Sequence, residues 1–520
     1  ESFEVLEALA KKVNSNAGDN EGYEGRYFQL TRDITLPENW PGIGYNTVGI
    51  STLGPSPDST SFPFNGDFDG GDCTITLDEK QSTSLFGCLG PEAVVTDLKV
   101  VGELGSVYRS GFGGIAAVNY GLIKRCSVSL EAADEGNNVD GMCGGIVAGN
   151  FGGIQSCEAF VEFNTSSTSI GGIAGYMKGG NKYRAIENCT LLKDSKLISL
   201  SSVTSGFTGA VAGIVATMSS SGNNGNEENP YRVTGCIVEE ATIVFEAPIP
   251  KGSSSNVGTG GIVAYCQALV INCTNAADVK GVDYVGGLIG FGSPKILQDS
   301  SNTGKISGRD HVGGLVSSAG SITLGENCFS TGDVEGTGNY VGGLIGRNNN
   351  SSVNLNQCYV TGMVSGGGDY VGGLVGSGGR VFTECYVEGD VTGGSYFVGG
   401  LVGDGGSEFK ECYVEGNVKG SGDYVGGLVG YGGSELKECY VVGDVEGSGD
   451  HAGGIVGMAG SGSTLADCYV VGKVTGSGDC AGGLVGNGEY MEEIKNSYWF
   501  GLADSGNSIG GIAGISPTTV

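Results

Sequence analysis

Four residue types recur along this chain at spacings that could do chemistry. Tyr359, Tyr386, Tyr413, Tyr440 and Tyr469 each follow a cysteine. Brought into one row, their rings would form a self-stabilising ladder or a flat platform for sugar rings. Carboxylates make two further series. Asp283, Asp310, Asp369, Asp423, Asp450 and Asp479 precede a Gly-Gly phrase, with Asn339 in the same role, and Asp278, Asp333, Asp390 and Asp444 recur at a second position. Like charges one strand spacing apart would repel by roughly 0.9 kcal/mol even in water, so each series needs compensation. An Asx turn would supply it through local backbone N–H groups. A calcium ion between neighbouring rungs would also do so, with Asp369, Asp423, Asp450 and Asp479 as its ligands. The Gly-Gly-x-Gly-x-Asp calcium nonapeptide is absent.

Eleven of the 16 cysteines share one position: Cys126, Cys157, Cys189, Cys236, Cys273, Cys328, Cys358, Cys385, Cys412, Cys439 and Cys468. Ser300 and Ser497 fill it in two other repeats. Stacked rungs hold such side chains parallel at about 4.8 Å, whereas a disulfide wants converging Cβ atoms near 3.8 Å. A reduced interior ladder is expected. Cys73, Cys88, Cys143, Cys266 and Cys480 lie off it, and a Cys73–Cys88 bridge is the alternative weighed for that pair. No Cys-x2-Cys pair offers a structural zinc site.

Candidates for catalysis are few. The two histidines, His311 and His451, occupy the tyrosine position of the Gly-Gly phrase and look like ladder substitutions. Gly506-Asn507-Ser508-Ile509-Gly510 fits a nucleophile-elbow pattern, but glycine is so common here that the match is cheap. Neither a His-Glu-x-x-His helix nor a phosphate loop occurs. Carboxylates one rung apart would match a retaining glycosidase pair, yet any stacked Asp column has that spacing. A true active site breaks the repeat, which leaves residues 180–260 as the place to look. Ser219–Asn229 reads there as a surface loop.

The elements that must position these residues are repeats. The phrase Asp423-Tyr424-Val425-Gly426-Gly427-Leu428-Val429-Gly430 recurs, with Gly-Gly starting at 260, 286, 313, 342, 372, 399, 426, 453, 482 and 510 and earlier copies at 113, 144 and 171. With a weaker copy at Ala212-Gly213 that makes fourteen. Short β-branched phrases bounded by Gly, Ser and Asp read as strand-turn-strand. A period near 27 residues suits one coil of a solenoid and falls short of a propeller blade. The fold class expected is all-β: a right-handed parallel β-helix of about 14 coils. Leu436, Cys439, Val441 and Val445 are the expected interior of a typical coil, with a corner at Lys437-Glu438 and Tyr440 pointing outward.

Composition agrees. The chain has 520 residues, 102 of them glycine, which argues against helices. Its 57 acidic and 27 basic residues give a net charge of −30, which repels nucleic acid and anionic membranes. No apolar run is long enough to span a bilayer. The chain begins at Glu1 without a basic-apolar leader, which reads as a mature fragment. Phe3, Leu6, Leu9 and Val13 mark one amphipathic helix, with strand-like runs at Tyr27–Leu36 and Cys73–Leu77. The expected organisation is a cap with the first coil over 1–80, irregular coils over 81–258 and regular repeats over 259–520.

The repeated phrases resemble the GLUG-motif family of bacterial surface proteins. The resemblance rests on Gly-Gly-Leu-Val-Gly at 426–430 and its copies, followed by the Cys-Tyr-Val phrase about a dozen residues later, and covers nearly the whole chain. The leader is similar too, with Phe28-Gln29-Leu30-Thr31-Arg32-Asp33-Ile34, Trp40-Pro41-Gly42-Ile43-Gly44 and Phe64-Asn65-Gly66-Asp67-Phe68-Asp69-Gly70. Where such leaders often carry Gly-His-Thr-Ile, this chain has Asp72-Cys73-Thr74-Ile75. The resemblance implies a secreted or surface-attached bacterial β-helix. The function expected is a non-catalytic adhesin or stalk, monomeric, binding a glycan or a surface protein and needing no cofactor beyond the calcium considered above. A polysaccharide lyase or glycoside hydrolase in the irregular coils is the alternative.

Overall fold

The structure is a computed structural model, and it describes residues 3–15, 23–44, 62–78, 83–104, 109–132, 139–165, 169–178, 185–200, 210–219, 231–246, 258–320, 322–349, 353–478, 480–501, 503–504 and 509–515. It is nearly all β, a parallel β-solenoid of about 13 turns with one N-terminal helix, and matches the right-handed β-helix expected from the repeats. The chain divides into two compact units, Glu1–Lys280 and Gly281–Val520.

In the first unit, helix α1 (Phe3–Asn14) buries Leu6, Ala10 and Val13. Leu9, expected on that face, is only half-buried, and Ala10 takes the innermost place. Phe3 meets Trp40 edge to face at 6.1 Å, and the Trp40 indole N–H donates to the Leu85 carbonyl at 3.1 Å. The expected strand at Tyr27–Leu36 is two, Tyr27–Gln29 and Ile34–Thr35, because the chain turns a corner between them onto another sheet.

The period-2 alternation of each short strand decides what faces inward. In the first unit Phe68, Val95, Ile123, Ile154, Ile186, Val233 and Val270 are register partners on successive rungs and all are buried. In the second, Leu355, Phe382, Phe409, Leu436, Leu465 and Ile494 form the equivalent column. Val360, Val387, Val414, Val441 and Val470 form the next. The interior expected of Leu436, Cys439, Val441 and Val445 is present, each at most 1% exposed.

The corner before each ladder cysteine explains why cysteine stands there. Its preceding residue is left-handed: φ is +54° at Arg125, +53° at Asn188, +51° at Glu384, +55° at Glu411 and +57° at Glu438. That conformation is costly for a residue other than glycine. The thiol follows the strained residue and donates to the carbonyl just before it, from Cys439 to Lys437 O at 3.2 Å and from Cys189 to Glu187 O at 3.4 Å. Ser300 and Ser497 repeat the contact at 2.7 and 2.8 Å. The column therefore holds a small buried donor that locks the turn, a role either thiol or hydroxyl can fill. All 16 cysteines are thiols outside any disulfide, so the bridge weighed for Cys73 and Cys88 is not formed. Burial pushes the Cys88 and Cys266 thiols up to about 12 and also raises Cys126 and Cys189, so they remain protonated.

Candidate functional site

The outward face of the second unit carries the tyrosine row. Phe329, Tyr359, Tyr386, Tyr413, Tyr440, Tyr469 and Tyr498 are register partners on successive rungs. From Phe329 to Tyr469 the ring centroids are 4.8–4.9 Å apart and the planes within 3° of parallel. The last step, Tyr469 to Tyr498, is 5.5 Å at 9°. Parallel rings at this spacing cannot lie side by side in one plane, because their edge carbons would fall far inside the about 3.5 Å contact distance. They overlap face to face in an offset stack. Each inner ring therefore turns both faces to its neighbours and presents its edge and hydroxyl outward, so no open platform for a sugar face exists along the row.

A second stack stands on the Gly-Gly side. Tyr284, His311, Tyr340, Tyr370, Phe397, Tyr424 and His451 follow one another with centroids 4.6–5.3 Å apart. Both histidines thus sit in the ring ladder. Burial, with the Arg347 cation nearby, lowers His311 to about 4. It is neutral near pH 7 and clamped between Tyr284 and Tyr340. Asn487 Nδ2 lies 3.2 Å from His451 Nε2, and Asn487 Oδ1 accepts the Glu489 N–H.

The carboxylates are compensated across rungs rather than within a turn. Asp310 Oδ1 accepts the Asn339 N–H at 2.6 Å, Asn339 Oδ1 accepts that of Asp369 at 2.8 Å, and Asp369 Oδ1 accepts that of Tyr396 at 3.3 Å. Asp283 is additionally held by Arg309, at 2.9 Å from Nε and 2.5 Å from the terminal nitrogen. In the second series Asp333 accepts from Met363, Asp390 from Asn417, Asn417 from Asp444 and Asp444 from Lys473, all at 2.8–3.0 Å. Along this column Asp333, Met363, Asp390, Asn417, Asp444 and Lys473 alternate, so no two carboxylates stand on adjacent rungs. The expectation of a local Asx turn is corrected here. The N–H reached by Asp310, Asp333, Asp369, Asp390 and Asp444 belongs to the next coil, because the corner points the side chain along the stack.

Of the four aspartates considered for calcium, Asp423 and Asp450 stand on adjacent rungs, beside the partnered Tyr424 and His451. Asp369 lies two rungs from Asp423, and Asp479 is outside the described residues. Among the described residues no group of three or more His, Cys, Asp or Glu side chains is placed to hold a metal. Ser508 is also outside them, as are residues 220–229 of the loop expected at Ser219–Asn229.

The first unit has a different outward surface. A groove of about 640 Å³ opens in the irregular coils, lined by Phe160, Glu162, Asp194, Lys196, Glu240, Ala241, Thr242, Ala276 and Asp278. Glu162, Lys196, Thr242 and Asp278 are register partners on four successive rungs. Lys196 pairs with Glu162 at 2.7 Å, and Lys193, at the rim, pairs with Glu240 at 2.6 Å. Those hydrogen bonds raise both lysines and hold Glu240 below the usual carboxylate range. Every one of these shifts favours the charged form. A lysine base needs the opposite shift, as does a glutamic general acid. Sequence reasoning pointed to residues 180–260 and named Asp278, but it did not single out Glu162, Lys196 or Thr242 beside it.

The fold and its outward columns define a parallel β-solenoid repeat protein. No family model matches the sequence, and no curated protein matches it. Among solved structures, one from Bacteroides ovatus titled "putative immunoglobulin A1 protease" is 15% identical, over 78% of this chain and 72% of that one, with a TM-score of 0.22. Among the described residues no helix is long and apolar enough to cross a membrane.

Proposed function

We propose that this chain is a non-catalytic β-helical module of a secreted or cell-surface bacterial protein of the GLUG-repeat kind, and that it serves as a stalk. One observation carries the reading: the regular unit spends its outward columns on itself. Its phenol rings close face to face, and its carboxylates accept the backbone N–H groups of the next rung. Both arrangements stiffen the stack, and neither leaves a binding face along it.

A stalk built this way tolerates loss of a whole coil. Val391 and Val418 are register partners, so deleting residues 391–417 brings equivalent positions together. The shortened protein is expected to fold and to keep the cooperativity of unfolding measured for the full chain alongside it; a molten or aggregated product speaks against the reading. The adhesin alternative is favoured by the mixed-charge groove of the first unit. Arrays of neutral and acidic glycans, together with intact bacterial and host cells, separate the two. Saturable binding abolished by Lys196→Glu makes the chain an adhesin, and clean arrays leave the stalk. Release of unsaturated, ultraviolet-absorbing products from acidic polysaccharides would replace both with a lyase.

A further inference from the structure

The phenol stack has a property that packing does not require. At one ring a proton acceptor is in place: the Tyr440 hydroxyl donates to Glu415 Oε1 at 3.1 Å. From Tyr440 the rings run in contact through Tyr469 to Tyr498. Tyr498 is the last ring of the row among the described residues and is 57% exposed, whereas the inner tyrosines are half-buried. The exposed edges carry the hydroxyl and its ortho carbons, the atoms at which a phenoxyl radical couples.

We propose that this stack is a site of one-electron oxidation that delivers its radical to Tyr498, where two copies of the chain become joined by a carbon–carbon bond. The co-reactant is a diffusing one-electron oxidant, such as a radical released by a peroxidase. It removes one electron from Tyr440, and the phenolic proton passes to Glu415, leaving a neutral phenoxyl radical and a carboxylic acid. An electron then moves from Tyr498 through Tyr469 to Tyr440. Tyr440 takes its proton back from Glu415, and Tyr498 releases its own to water. Two such Tyr498 radicals on different copies form a bond between ortho carbons, and in each ring the ortho hydrogen passes as a proton, by way of water, to the phenolic oxygen, which restores the aromatic phenol. In total two electrons reach the oxidant and two protons reach solvent for each bond. Coupling inside the row is disfavoured because face-to-face rings hold their ortho carbons in parallel planes.

The molecule contains its own controls. Tyr490 is 53% exposed and lies outside the row, and Tyr27 is 62% exposed with its hydroxyl 2.5 Å from Asp69. Exposure alone, or exposure with a carboxylate beside the phenol, is therefore separable from membership of the stack.

The test is photo-oxidation of the whole chain with ruthenium(II) tris-bipyridine and persulfate, read as dityrosine fluorescence, covalent dimer on a denaturing gel and mapped cross-linked peptides. The expected product is a dimer linked predominantly through Tyr498, lost in Tyr498→Phe and unchanged in Tyr490→Phe. Glu415→Gln removes the proton acceptor and lowers the yield about threefold or more. Tyr469→Phe keeps the packing but interrupts the phenols, and lowers it severalfold. Glu415 is exposed, so Glu415→Gln tests the proposal even if Tyr469→Phe disturbs the coil. Equal coupling at Tyr490, Tyr27 and Tyr498 overturns it, and so does a Tyr498 yield that neither substitution changes.

Discussion

The two units share an inner wall and differ in the outer one. Inside, both stack aliphatic residues in register, and both lock the same left-handed corner with a thiol donor, Cys189 in one and Cys439 in the other. Outside, the first unit mixes Glu162, Lys196, Thr242 and Asp278 in one column and opens a groove over them. In the second, the tyrosine column closes by ring stacking, and the mixed column of Asp333, Met363, Asp390, Asn417, Asp444 and Lys473 closes by side-chain-to-amide bonds between rungs. An outward side chain that reaches the ring or the amide N–H of the next rung thus converts exposed surface into self-contact. In the first unit the contact across rungs is the Lys196–Glu162 ion pair, whose lysine side chain stays 56% exposed at the groove.

The inner wall gives the largest expected effect. A Cβ on Gly427 would press against the Gly454 carbonyl, and one on Gly172 against the Gly213 carbonyl. Backbone cannot give way there. Gly427→Ala and Gly172→Ala should each destabilise their own unit by more than about 3 kcal/mol, measured by urea unfolding with hydrogen exchange resolving the units. A loss at only one of the two positions would break the claim of a common interior.

Acid should separate the units next. Both histidines lie in the second unit, and His311 falls from 6.5 to about 4 through burial first and Arg347 second. The unfolded chain then binds the extra proton between these values, so stability rises with pH across that window. It is fully present above about pH 6.5 and is lost as pH falls toward 4, by at most about 3 kcal/mol. Melting temperatures followed from pH 7 to 4 should fall less in His311→Tyr. Equal slopes in variant and parent would show that the stack does not hold this ring neutral.

The smallest effect concerns the corners. Cys439→Ser should be nearly neutral, since Ser300 and Ser497 already fill the position, whereas Cys439→Ala loses a buried donor at a cost of about 1 kcal/mol. Cys189→Ser and Cys189→Ala should differ in the same way in the first unit. Thermal unfolding of the four variants checks this, and a serine as costly as alanine would mean that size rather than hydrogen bonding selects the residue.

Some of this was legible in the residues. The Gly-Gly phrase and the Cys-Tyr-Val phrase located the coils, and alternation around Cys439 placed Leu436, Val441 and Val445 inside with Tyr440 outside. The corner at Glu438 was located but not its hand. Asn188, Asn272, Asp299 and Asn327 at equivalent positions, residues that tolerate a left-handed backbone, were the available signal. The groove was legible only as a stretch to inspect, because its column joins residues 34 to 46 positions apart across insertions of unequal length.

The sequence by itself determined the period, the inward and outward sides of each strand, and which residues share a column. These follow from one-dimensional repetition and the two-residue pleat. Only the tertiary structure decided that the tyrosine rings turn their faces to each other, that carboxylates such as Asp390 and Asp444 serve the amide one coil away, and that Lys196 answers Glu162. Those outcomes depend on the tilt of a side chain and on the neighbour one rung along, and no spacing within a single repeat encodes either.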